Sequence, residues 1–204
     1  AGGQVIVPYL RATGVRHLDM LMVSHEHDDH AGGVEAVLQA VPVARGLTAE
    51  GPGNKPLPGL PQGRAWQPCL DGVAWRWDGV DFEVLHPTEE GLARQRLSAN
   101  ARSCVLRVAT AQRSLLLTGD IGVSEERRLI DSELGERLRA DFLLVPHHGS
   151  GTSSHAAFLR AVQPELAVFQ LGFANRHRHP REDVWQRYAR AGAARYRTDE
   201  TGAV

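Results

Sequence analysis

Residues 25 to 30 are His25, Glu26, His27, Asp28, Asp29 and His30, inside the stretch LMVSHEHDDHAGGV. An apolar run, Leu18 to Val23, leads into them; Gly32-Gly33 and a helix-like segment, Val34 to Val41, follow. Imidazoles and carboxylates left unpaired at the end of a buried strand cost on the order of several kcal/mol each. A divalent cation turns that cost into binding energy. His25 and His27, two apart in an extended loop, point to one side and can share an ion. Asp29 and His30 turn the other way and can hold a second. Carboxylate and imidazole donors together suit Zn, Mn or Fe. A merely solvated His/Asp-rich loop would not need the apolar run before it and the Gly-Gly after it.

Three further segments carry chemistry. Thr118-Gly119-Asp120 ends the run SLLL, where a carboxylate can bridge two ions; the tripeptide alone is weak, because Gly-Asp is a common turn. His147-His148-Gly149-Ser150 follows FLLVP and offers a ligand and a proton donor. If a helix starts there, its backbone N–H groups suit a phosphate. In NRHRHP, Asn175 to Pro180, His179 can reach the site as acid or substrate contact, while His177 reads equally as a surface residue. His17, His86 and His155 read as structural.

These segments need elements to position them. Val5 to Thr13 reads as a short amphipathic helix closed by Gly14, and Leu18 to Val23 as a buried strand. Val43 to Gln62, with GPGNKPLPGLPQG, reads as a turn-rich loop within one sheet system. Gly72 to Leu85 alternates as two strands, and Ser103 to Val108 with Ser114 to Leu117 forms a second pair. Ser124 to Leu138 reads as one helix capped by Ser124. Asp141 to Val145 and Leu166 to Gln170 read as strands, Ala156 to Val162 and Val184 to Ala191 as helices, and Arg195 to Thr198 as a last strand. Every polar motif sits just past the C-terminal end of an apolar strand. That pattern predicts a layered α/β protein with one active-site rim.

The totals bound the rest. A chain of 204 residues fits one domain, 1–204, with a substantial core. A net charge of −1 creates no global pull toward nucleic acid or anionic lipid. Lys55 is the only lysine, an arginine bias that reads first as genome composition, although arginine also binds phosphate as a bidentate fork. Cys104 reads as a core residue, and its pairing with Cys69 is left open. No apolar stretch of about 20 residues is present to span a bilayer. The opening Ala-Gly-Gly, without initiator Met, reads as an excised fragment of a longer protein.

HEHDDHAGG, LLLTGD and HHGS together resemble the metallo-β-lactamase superfamily. More narrowly, the chain resembles the metallo-β-lactamase-like domain of ComEC-type DNA-uptake channel proteins. That match rests on VIVPYLRATGVRHLDMLMVSHEHDDHAGG, NARSCVLRV, SLLLTGDI, LLVPHHGSGTSS, and NRHRHP followed by a Gly-Ala-Val end. It implies an α/β fold, the αββα sandwich, here without its first strands and their Asp-x-Gly turn. It implies a mono- or dinuclear site between the sheets. The superfamily's lone ligand histidine before the TGD strand has its place taken by Asn100 to Ser103, which loosens the first ion. Both His25 and His27 are kept, which favours metal.

The resemblance implies a metal-dependent nuclease that degrades the non-transported DNA strand during natural transformation. One or two ions, Mn or Zn, would be held by His25, His27 and His147 on one side and Asp29 and His30 on the other, with Asp120 bridging. Asp29, His148 and His179 take the catalytic roles, His148 or His179 protonating the leaving oxygen. Asn100, Ser103, Ser150, Thr152 and Ser153 are the expected phosphate contacts. The expected partners are DNA and the transmembrane channel and OB-fold domains of the same parent protein, at the extracytoplasmic face of the bacterial inner membrane. A small-molecule metallo-hydrolase and a non-catalytic DNA-guiding module are the alternatives.

Overall fold

The computed structural model describes residues 2–49, 66–94 and 97–202. A π-helical turn, Gly2–Ile6, runs into α1 (Val7–Ala12). β1 (Leu18–Val23) leads to α2 (Asp28–Ala31) and α3 (Val34–Ala40). β2 (Val43–Thr48) and β3 (Trp66–Pro68) follow, then the hairpin of β4 (Ala74–Trp77) and β5 (Val80–His86), and α4 (Glu89–Arg94). A 3-10 turn, Asn100–Arg102, precedes β6 (Val105–Ala109) and β7 (Ser114–Leu117). The second half holds α5 (Val123–Asp131), β8 (Phe142–Leu144), α6 (Ala156–Val162), β9 (Leu166–Phe169), α7 (Glu182–Arg190), β10 (Ala194–Arg197) and α8 (Thr198–Thr201).

The strands form two sheets, as the αββα expectation requires. The small one has order β1-β2-β3 and is parallel throughout; the large one has order β10-β9-β8-β7-β6-β5-β4. In the large sheet β7 to β10 are parallel and β4 to β7 antiparallel. Alternation along each strand assigns its side chains to two layers. Val105 and Leu85 join Leu116, Leu143 and Phe169 under Leu129 of α5, Phe158 of α6, and Val184 and Tyr188 of α7. Their neighbours Leu106 and Val84 face Leu47 of β2 and Met20 and Met22 of β1. Val7 and Leu10 of α1 and Val37 of α3 cover the small sheet's outer face. The result is helix, sheet, sheet, helix: the αββα sandwich.

Several elements differ from expectation. Val43–Thr48 is a strand, not a loop: its sequence VARGLT has little alternation, and parallel pairing with β1 fixes it. The remainder of that expected loop, from residue 50 to 62, lies outside the described residues. The expected helix 124–138 stops at Asp131, and Gly135–Leu138 is a separate 3-10 turn. Its N-cap is Gly122, whose N–H donates to the Glu125 carboxylate at 3.2 Å, while the Ser124 hydroxyl donates to the same carboxylate at 2.5 Å.

Cys69 and Cys104 are disulfide-bonded, with Cα atoms 5.8 Å apart and a sequence separation of 35. Both are buried where β3 of one sheet faces the start of β6 in the other. Closing a loop of that length stabilises by about 2–4 kcal/mol. The Cys69→Ala/Cys104→Ala protein is therefore expected to lose about that much in urea unfolding, with a reductant costing the wild type the same and the variant nothing. Equal stability of the two oxidised proteins would contradict the pairing.

Candidate metal centre

The parallel strands bring four loops to one rim. β1 leads to His25, β7 to Asp120, β8 to His147 and His148, and β9 to the 170–181 loop. β6 runs antiparallel to β7, so its N-terminal end delivers Asn100 to Ser103 to the same edge. Backbone hydrogen bonds tie the loops in series: Cys104 N to Ser24 O (3.0 Å), His147 N to Gly119 O (3.1 Å), Arg181 N to Gly149 O (2.9 Å). Two glycines make this closeness feasible. A Cβ on Gly119, at φ +52°, would stand 2.8 Å from the Ser103 Cβ; one on Gly149, at φ +80°, would stand 2.8 Å from the Phe169 ring and from Pro180.

Asp120 lies at the centre and is 3% exposed. Its Oδ1 faces His30 Nε2 (3.2 Å) and His148 Nε2 (3.4 Å); its Oδ2 faces His25 Nε2 (3.7 Å) and His147 Nε2 (3.8 Å). The two oxygens thus look into two different groups. Asp29, His30, Asp120 and His148 form one, with donor atoms within 4.8 Å of each other; His25, His27 and Asp120 form the other on the same criterion. Asp29 Oδ2 is 3.4 Å from His148 Nε2.

Hydrogen bonds behind the rings orient them. Gln170 O can only accept, so the His148 Nδ1 at 2.8 Å carries the proton and its Nε2 lone pair faces the site. The Ser24 hydroxyl lies 3.2 Å from His25 Nδ1 and 3.1 Å from His30 Nδ1, and Ser103 Oγ lies 3.2 Å from His25 Nδ1 while accepting from Asp120 N at 3.0 Å. The site-facing nitrogens then meet each other: His30 Nε2 to His148 Nε2 at 3.3 Å, His25 Nε2 to His27 Nδ1 at 3.2 Å. Lone pairs facing one another at such distances repel unless a proton or a cation sits between them. This donor set, with a buried carboxylate shared by both groups, fits divalent ions.

The charges agree. Burial pushes the Asp120 carboxyl up, but its contact with His30 and the charges of His30, His148 and His147 outweigh this and hold it at about 2. Burial, with help from His30 and against Asp120, drives His25 down to about 3. Burial likewise lowers His147 and His179.

His27, Asp29, Asp120, His147 and His148 line one cavity of about 730 Å³, with Asn100 and His179 on its wall, and His25 and His30 meet them behind it at Asp120. His148, expected as a proton donor, takes a ligand's place beside Asp29 and His30. Ser103 and Ser153 are fully buried, Ser153 Oγ donating to Pro146 O at 2.9 Å, and neither they nor Ser150 and Thr152 line the cavity. Ser150 and Thr152 bond to each other (3.0 Å), and Thr152 Oγ1 lies 3.3 Å from His147 Nδ1. α6 opens at Ala156, as expected, capped by His155 Nδ1, so no helix N-terminus directly follows His148 to hold a phosphate. Asn100 Nδ2 is 3.3 Å from His147 Nε2, while its buried Oδ1 has no hydrogen-bond partner among the described residues. His86, as expected, is structural: its Nε2 bonds Ala101 O at 2.9 Å. Sequence reasoning missed Ser24 and Asn175. The Asn175 amide accepts from His179 N (2.7 Å) and donates to His179 O (2.8 Å), fixing the loop that carries His179.

A family model described as the metallo-beta-lactamase superfamily matches residues 1–172. The chain is 41% identical over 204 residues to competence protein ComA of Neisseria gonorrhoeae, covering 98% of this chain and 26% of that protein. It is 32% identical over 209 residues to ComE operon protein 3 of Bacillus subtilis, covering 100% of this chain and 26% of that one. The chain therefore spans about a quarter of the length of these curated relatives. Among solved structures, CmlA, a diiron beta-hydroxylase from Streptomyces venezuelae, superposes with a TM-score of 0.57 at 12% identity, over 89% of this chain and 44% of that one. At that identity the likeness concerns the fold.

In metal-free protein, His25 titrates at about 3 rather than 6.5. A folded-state value below the unfolded one contributes stability that is complete above about 6.5 and is lost as pH falls toward 3. In EDTA, the urea midpoint of the wild type is expected to fall between pH 6.5 and 4 more steeply than that of His25→Asn. Parallel slopes would contradict the neutral, buried state of this imidazole.

Proposed function

Because the chain belongs to the metallo-β-lactamase superfamily and its relatives include competence proteins, we propose that it is a metal-dependent phosphodiesterase acting on DNA during natural transformation, where it degrades the strand that is not transported. The observation that carries this reading is the two-sided Asp120, one oxygen turned to each group of ligands. His25 and His27, with His147 beside them, would hold one ion; Asp29, His30 and His148 would hold the other. Bound there, Mn or Zn would supply Lewis acidity at the scissile phosphorus and lower the proton affinity of water.

The rest of the chemistry falls to the chain's own groups. The His148 Nδ1 proton is committed to Gln170 O, so the leaving oxygen's proton is assigned to His179 on the cavity wall. The Asn100 amide and the Arg176 guanidinium line the same cavity and suit phosphate oxygens. All the residues lining it are polar or charged, which suits a phosphodiester backbone better than an apolar small molecule. No helix among the described residues is long and apolar enough to cross a membrane. The Cys69–Cys104 disulfide supports an oxidising, extracytoplasmic location, attached through the rest of a parent protein to a transmembrane channel and an OB-fold domain.

Purified protein is expected to cleave linear DNA with Mn or Zn and to be silent in EDTA. Asp120→Ala and His25→Ala should each lower the rate by about 100-fold or more, beyond what outer-shell partners of a metal site typically cost. Absence of cleavage with either metal, in wild type and variants alike, would replace the enzyme with a DNA-guiding module.

A further inference from the structure

The segment Pro146–His155 presents His147 and His148 on a strained backbone. His147 (φ +50°), His148 (φ +56°) and Ser154 (φ +60°) all lie in the left-handed region, which disfavours residues bearing a Cβ. Among its internal ties are the bonds from Ser153 Oγ to Pro146 O (2.9 Å) and Ser150 O (3.1 Å). Besides the ties to Gly119, Arg181 and Gln170, two helices hold it on the side away from the cavity.

On α5, Glu126 is fully buried, and its carboxylate accepts from both Ser154 N and, at 2.7 Å, His155 N. On α7, Arg187 Nη1 donates to Ser153 O (3.2 Å) and Ser154 O (2.5 Å), with Asp183 holding the guanidinium's other nitrogen at 3.1 Å. The next residue, Tyr188, places its hydroxyl 3.0 Å from Ser154 Oγ. All three groups converge on Ser153-Ser154-His155, and none of them lines the metal cavity. Burying a carboxylate between packed helices is a poor way to gain stability, since an apolar side chain would pack there without the desolvation cost. The cost makes sense if the carboxylate's task is to hold a strained turn.

We propose that Glu126, Arg187 and Tyr188 are positioning residues for the metal centre: they clasp Ser153-Ser154-His155 from behind and so set the turn that aims His147 and His148. The proposal rests on the reading of those histidines as groups that face a metal. It predicts that the metal affinity depends on side chains in α5 and α7 that touch neither metal nor substrate.

Glu126→Gln risks the fold, so the test uses Arg187→Met, which keeps an apolar stem, and Tyr188→Phe, which keeps the ring. Arg113→Met, which removes a remote surface pair with Glu165, serves as a control. Mn and Zn affinities are measured by competition with a fluorescent chelator, with amide hydrogen exchange over 147–155 and thermal melting alongside. Arg187→Met is expected to weaken binding by about 10- to 100-fold and Tyr188→Phe by about 3- to 10-fold. Both should speed exchange in 147–155, Arg187→Lys should recover part of the loss, and Arg113→Met should bind as the wild type does. Folded Arg187→Met and Tyr188→Phe proteins with wild-type affinity and wild-type exchange would overturn the clasp. A wild type that takes up neither ion would overturn the metal reading itself.

Discussion

One buried carboxylate governs this molecule. Asp120 sits between two sheets with four imidazole nitrogens within 3.8 Å, and those nitrogens crowd one another as well. Such an arrangement is unfavourable in an apolar surround unless cations complete it. The surrounding structure is organised to maintain it. Ser103 spans the Asp120 backbone and the His25 ring, Ser24 serves His25 and His30, and the Gln170 carbonyl fixes His148. Ser103 and Gln170 come from other strand ends than the rings they hold, while Ser24 shares the end of β1 with His25 and His30, so the geometry of these rings is coupled to the packing of the two sheets.

That coupling explains the architecture. Parallel strands place successive C-terminal ends along one rim, and an αββα sandwich sets the rim of one sheet against that of another. Here β1 of the small sheet contributes the first motif, and β7, β8 and β9 of the large sheet contribute the others. The Cys69–Cys104 disulfide links the two sheets covalently near the place where Cys104 N bonds Ser24 O. The helices behind the large sheet do more than cover its core, because α5 and α7 also reach the turn bearing His147 and His148.

The candidate ligands were legible in the sequence because each occupies a short motif following an apolar run, and strand-end placement is a local property. HEHDDH, TGD and HHGS come together as that rule requires. The supporting contacts were not legible, because they depend on register between distant segments. Nothing in the sequence distinguishes Ser24, or marks Ser103 as a buried brace rather than a phosphate contact. The helix at Ala156 was legible, whereas the left-handed conformations of His147, His148 and Ser154 that shape the turn before it were not. β2 was missed for the same reason: with Arg45 and Gly46 at its centre it carries little periodicity, and its neighbours impose the strand.

The central claim is that Asp120 is shared between two ions. The most direct measurement is an anomalous-scattering crystal structure of the protein grown with Mn. The account predicts two peaks, one on each side of Asp120, each about 2.0–2.3 Å from one of its carboxylate oxygens. One peak should lie beside His25 and His27, the other beside Asp29, His30 and His148. No peak at Asp120, or ions bound elsewhere while Asp120 keeps only its histidine neighbours, would contradict it.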